Sequence, residues 1–233
     1  MTEFGLLQKK GIIAFTDGIK TIQNTRLMSR IMKSAHDLNS LIIQHAEDLE
    51  LSKNGMINDG IIATKLGLQG IPDLAELIII ERDLTLLENI KCRYHISQIS
   101  SKKSVEIINE RKNKVKFTCG VSINNLSLNE NDIGDFRTFL KLSPPLRTEQ
   151  DRLSLINAIG EGLIEVIVSD HKPEDEESKR LTFAQAATGA TGIETLLPLA
   201  LELFHNDSLK LNTIIASITS NPAKILGIDK GSL

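Results

Sequence analysis

Apolar and β-branched residues gather in five short runs: "GIIAFTD" (11–17), "LIIQHAED" (41–48), "YHISQIS" (94–100), "VKFTCGVS" (115–122) and "IEVIVSDH" (164–171). Each is followed by a polar turn and a longer stretch of helical spacing. Nearly continuous apolar character suits parallel strands covered on both faces. The stretches 24–38, 73–89, 102–113 and 148–162 have the period of amphipathic helices, and the last two close near Asn or Gly. Residues 191–206 and 210–227 add helices on the outside of the sheet. The alternation predicts an α/β fold. Two architectures fit five such strands: an open doubly wound sheet, or part of a (β/α)8 barrel.

Chemistry at the strand ends favours the barrel. Thr16 and Asp17, His45 with Glu47 and Asp48, Gln98, Asn124 and Asn125, then Asp170 and His171 all follow apolar runs. A barrel brings such residues from several strands to one mouth, whereas an open sheet gathers its ligand at a single switch point. No GxGxxG or GxxxxGK[ST] occurs, which removes the usual nucleotide-binding loops.

Composition narrows the partners. Of 233 residues, 41% are hydrophobic and 24% charged, as in ordinary globular proteins. A net charge of -3 and a pI near 6.0, with both signs interspersed, leave no basic face for nucleic acid. Cys92 and Cys119 lie far apart, outside any CxxC, as expected of reduced thiols in the cytoplasm. The amino-terminal residues lack signal-peptide order, and no apolar run approaches the roughly 20 residues needed to span a bilayer.

The ordered blocks "AFTDG", "QHAEDLEL", "NDGIIATKLGLQGIPDLAELIIIERDLTL", "YHISQIS", "KLSPPLR" and "SDHKP" followed by "TGIETLLP" resemble those of the dihydroorotase family, within the amidohydrolase superfamily. That resemblance covers nearly the whole chain. It implies a zinc-dependent barrel of the metallo-dependent hydrolase type that reversibly closes N-carbamoyl-L-aspartate into dihydroorotate in pyrimidine biosynthesis. Zinc would lower the pKa of a bound water to about 7, and an aspartate would carry the proton. It further implies a partial barrel lacking its amino-terminal strands, with residues 1–233 as one barrel domain and a fragment of a longer chain. An oligomer is expected.

Carried over residue by residue, the resemblance assigns Asp170 as catalytic base and metal ligand, and His45 and Asp17 as further metal ligands. Gln98 takes the position of a ligand histidine, and an amide is a poor zinc ligand. Ser143 stands where the family has a substrate-binding asparagine, and Glu174 where it has a histidine. Gly189 falls at a backbone position facing substrate, and Asn124 and Asn125 replace a histidine pair. The family's HxH motif is absent. Some family members without that motif serve as non-catalytic subunits beside aspartate transcarbamoylase, and the departures here resemble that branch.

Plainer roles compete for each of these residues. Asp170 could cap the next helix, and Glu47 and Asp48 could open a loop or meet a helix dipole. His95 reads as a core histidine, and His36 and His205 as solvated. The run "EDEESK" (174–179) reads as an exposed loop, and Arg147, which could grip a carboxylate, reads rather as the structural partner of a surface acid.

Overall fold

The computed structural model describes residues 3–232. Its strands are β1 (Ala14–Phe15), β2 (Leu41–Gln44), β3 (Ile57–Asn58), β4 (Gly70–Ile71), β5 (Arg93–Ile96), β6 (Thr118–Ser122) and β7 (Val166–Val168). Five of them form a parallel sheet in the order β1-β2-β5-β6-β7, and β3 pairs with β4 apart from it. Each apolar run supplies one strand of the sheet. Every strand is shorter than its run, and in β1, β2, β5 and β7 the residues beyond the carboxyl end leave the ladder.

Helices connect the strands, and their starts are legible locally. The Asn24 side chain accepts from Leu27 N at 2.9 Å to begin the Thr25–Asp37 helix, and Ser101 accepts from Ser104 N at 3.1 Å to begin Lys102–Lys112. Thr148 and Asp151 form a reciprocal capping box at the start of Glu149–Gly160. The Leu74–Ile90 helix lies between β4 and β5 in the chain. Residues 191–227 yield three helices, Leu196–His205, Leu211–Ile218 and Ser220–Leu226, where two were expected. The second expected helix breaks at Thr219, whose backbone (φ -129°, ψ -82°) leaves the helical region.

The main core lies between the sheet and these helices. Met28, Met32, Ile80, Leu84, Ile96, Ile108, Val121, Leu155 and Ile159 all belong to it and are buried. Asp83 sits inside this layer, receiving Tyr94 Oη at 2.6 Å, Arg82 Nε at 2.8 Å and Gln44 Nε2 at 3.3 Å. Three donors make a carboxylate tolerable at that depth and tie the Leu74–Ile90 helix to β2 and β5. A smaller core of Ile57, Ala63, Ile133, Leu142, Leu146 and Phe183 lies under the loops beyond the strands. Sequence periodicity does not reveal β3 and β4, since two-residue strands have no period to read. No described helix is long and apolar enough to cross a membrane.

Candidate functional site

The residues that matter lie past the carboxyl ends of β2, β5, β6 and β7. β2 delivers His45, 4% exposed, whose Nε2 stands 3.1 Å from Glu47 Oε2. The pair is anchored by Thr21, whose Oγ1 donates to His45 O at 2.7 Å and accepts from Glu47 N at 3.1 Å. Ser143 Oγ donates to Glu47 Oε2 at 3.4 Å. Burial pushes the Glu47 carboxyl upward, but the hydrogen bonds from His45, Ser52 and Ser143 together with the His45 charge outweigh it and hold the group below its ordinary value.

β7 delivers Asp170, in the left-handed backbone region at φ 49°. That conformation is uncommon for a side chain with a Cβ, and it turns the carboxylate back toward the neighbouring strands. Gln98 Nε2 donates to Asp170 Oδ1 at 2.9 Å, and Ser122 Oγ to Oδ2 at 3.5 Å. Burial raises the Asp170 carboxyl above the ordinary value, against the opposing pull of Gln98 and of the His45 charge. Its neighbour His171 is held by two backbone donors, Gly192 N at 3.1 Å and Ile193 N at 3.2 Å, both onto Nδ1. The blocks "SDHKP" and "TGIETLLP" therefore meet in space. Gly192 is required there, because a Cβ would come within 2.0 Å of Ser169 O.

The remaining expected site residues are dispersed. Asp17 is exposed in the turn after β1, and no hydrogen bond or ion pair joins it to His45 or Asp170. Glu174 pairs with Lys172 at 3.4 Å. Gly189, at φ 137°, donates its N–H to Lys141 O at 2.9 Å, and a Cβ there would meet Lys172 O at 2.5 Å. Its N–H is thus spent inside the protein, where the resemblance had it face substrate. Asn125 Nδ2 donates to Pro145 O at 2.9 Å, and Asn124 is buried beside Ser122 at the start of the Ile123–Ser127 helix.

Other residues find structural roles. His95 is buried with Nδ1 2.8 Å from Thr118 Oγ1, and burial, then the Lys112 charge, lowers its pKa to about 4. Arg147, 4% exposed, donates to Ser100 Oγ at 3.1 Å, Asn58 Oδ1 at 2.8 Å and Ile71 O at 2.6 Å. Glu76, beneath it, accepts from Ser100 N at 3.0 Å and from the Ser104 hydroxyl. Arg147 is an internal clasp of the loops: it is structural, but its partners are a hydroxyl, an amide oxygen and a backbone carbonyl rather than the surface acid expected of it. Sequence reasoning missed Glu47 as the partner of His45, although a two-residue spacing on an extended strand places both on one face. It also missed Ser122 beneath Asp170 and Lys141, whose ammonium donates to the carbonyls of Phe183, Ala184 and Ala186 at 2.9, 3.0 and 2.9 Å.

The zinc that the family resemblance implies does not fit these side chains. Among the described residues, no three His, Cys, Asp or Glu side chains converge to hold a metal ion. Gln98 turns its amide donor, rather than a lone pair, onto Asp170. Asp17, His45 and Asp170 form no such group among the described residues.

A five-stranded parallel sheet with its chemistry past the strand carboxyl ends is the layout of α/β barrel enzymes. The chain superposes on L-hydantoinase (dihydropyrimidinase) from Arthrobacter aurescens with a TM-score of 0.85 at 24% identity, covering 99% of this chain and 55% of that one. On the Saccharomyces cerevisiae dihydroorotase in complex with 5-fluoroorotic acid the TM-score is 0.75 at 15% identity, covering 97% and 63%. The fold is therefore α/β, matching roughly half of such barrels. In sequence, a Dihydro-orotase-like family model matches residues 1–104. The dihydroorotases of Ehrlichia canis and Ehrlichia chaffeensis are 41% and 42% identical over 100% of this chain and 53% of their own lengths. The chain belongs to the dihydroorotase family, and it spans about half the length of the curated relatives it matches.

Proposed function

We propose that this chain is a dihydroorotase-type protein of de novo pyrimidine biosynthesis whose strand-end site, as composed here, does not by itself close N-carbamoyl-L-aspartate or open dihydroorotate. The observation that carries this reading is the Gln98 amide donating to Asp170 at 2.9 Å. A carboxylate held by an amide and a hydroxyl is occupied by neutral donors, and activation of water needs a stronger electrophile beside it. The closed His45–Glu47 pair supports the same conclusion from the opposite side of the site. Asp170 remains the carboxylate best placed to handle a proton, because burial raises it toward the range useful for general acid–base work.

The test is zinc per chain by elemental analysis together with dihydroorotate turnover on the purified chain. Substoichiometric zinc and no turnover are expected, and bound zinc with turnover would overturn the reading. The same amide-for-imidazole exchange at Gln98 favours a second role, a non-catalytic subunit that stabilises aspartate transcarbamoylase. Recovery of the transcarbamoylase with the tagged chain supports that role, and its absence from the eluate counts against it. We place the protein in the cytoplasm on the strength of two buried free thiols, with burial pushing Cys92 up to about 11.

A further inference from the structure

The opposite end of the sheet carries its own concavity. A cavity of about 570 Å³ opens at the amino-terminal ends of β2, β5 and β6, where the Ser220–Leu226 helix crosses. Four cations line it: Lys91, Arg93, Lys116 and Lys224. In a chain of net charge -3 this is a local excess of positive charge. Among the described residues none of the four makes an ion pair. The acid in the lining, Glu165, is already engaged: Lys112 is its ion-pair partner, and Cys119 N donates to it at 2.9 Å.

Arg93 differs from the three lysines in being fixed. Its Nη2 donates to Ile225 O at 2.6 Å and its Nη1 to Asn39 O at 3.4 Å, so the guanidinium is held half-buried at the cavity edge. Lys91, Lys116 and Lys224 are exposed and mobile by chemistry, point charges able to close on a ligand. Apolar walls from Leu41 and Phe117 complete the cavity. A rigid guanidinium with several lysines over an apolar floor matches a small phosphorylated molecule, its phosphate oxygens on the cations and its organic part on the wall.

We infer that the cavity at the amino-terminal strand ends, rimmed by Lys91, Arg93, Lys116 and Lys224, binds a phosphate-bearing metabolite of at least two negative charges. It lies at the far end of the strands from Asp170 and does not depend on the reading of that site.

Titration calorimetry with inorganic pyrophosphate on the intact chain, at constant ionic strength, tests the inference. Saturable binding of one pyrophosphate per chain is expected. The double variant Lys116→Glu/Lys224→Glu should weaken it by about tenfold or more, since two attractive charges become repulsive. Lys20→Glu, an exposed charge reversal outside the cavity lining, should leave it unchanged. Circular dichroism of each variant confirms folding. Should the double variant fold poorly, Arg93→Gln is measured in its place, with the same loss expected. Absence of saturable binding, or binding equal in the wild type and the cavity variants, would overturn the inference. Sulfate binding as tightly as pyrophosphate would also overturn it, by showing general anion attraction only.

Discussion

At the carboxyl ends of β2 and β7, acids are clasped by donors from neighbouring elements: Glu47 by His45 and Ser143, Asp170 by Gln98 and Ser122. At the amino-terminal ends of β2, β5 and β6, four cations surround a cavity and none of them is ion-paired among the described residues, the lining acid Glu165 being paired with Lys112. The difference lies in what each end packs against. Long loops fold over the carboxyl ends and bring buried polar networks with them, including Arg147 on Ser100 and Asn58 and Lys141 on three carbonyls. The amino-terminal ends meet one short helix, so their lysines remain in solvent. One end is organised by internal satisfaction of polar groups, and the other keeps its charges available.

If that contrast holds, stability responds very differently at the two ends. Arg147→Met leaves Ser100 Oγ, Asn58 Oδ1 and the Ile71 carbonyl without their shared donor in a buried setting, and takes the arginine charge away from buried Glu76. It should cost about 3–5 kcal/mol in urea unfolding, and a loss below about 1 kcal/mol would break the comparison. Lys141→Met removes the donor from three carbonyls and should cost about 1–3 kcal/mol by the same measurement, loosening the loop that carries Gly189.

A third prediction separates the two clasped acids by pH. The Asp170 pKa is raised from 3.8, so across the window above 3.8 the unfolded chain has lost a proton that the folded chain retains. Stability falls as pH rises through that window. Asp170→Asn should therefore raise the melting temperature at neutral pH and lose the advantage below 3.8. Glu47 has the opposite sign, being lowered from 4.5. Its contribution is present above 4.5 and disappears as pH falls through the lowered value, so Glu47→Gln should destabilise at neutral pH and converge on the wild type in acid. Melting curves of both variants over pH that moved in the same direction would remove the distinction between them.

The smallest effect belongs to the open end. Lys116→Ala and Lys224→Ala touch no ion pair among the described residues and should each change stability by less than about 0.5 kcal/mol. A larger loss would mean that these lysines are structural, and would blunt the contrast.

Much of the architecture was legible in the chain. The runs 11–17, 41–48, 94–100, 115–122 and 164–171 each yielded a strand of one parallel sheet, because a strand buried on both faces has to be nearly all apolar. The stretches 24–38, 102–113 and 148–162 each yielded a helix from their spacing, and Asn24, Ser101 and Thr148 cap these helices in the structure because a side-chain oxygen there meets a backbone N–H only three residues away. The family followed from ordered blocks, and His45, Gln98 and Asp170 were correctly singled out as strand-end residues.

What folding alone decided are the partners that come from far along the sequence. Gln98 meets Asp170 across 72 residues and Ser143 meets Glu47 across 96, whereas Asp17 meets neither of the acids or imidazoles with which it was grouped. Lys91, Arg93, Lys116 and Lys224 are unremarkable as isolated charges, and become a cluster only when three strand starts and one helix are brought together. Local propensity and periodicity act over a few residues, so they fix elements and their caps. Which donor reaches which carboxylate is set by the packing of elements distant in sequence, and no pattern within the runs encodes it.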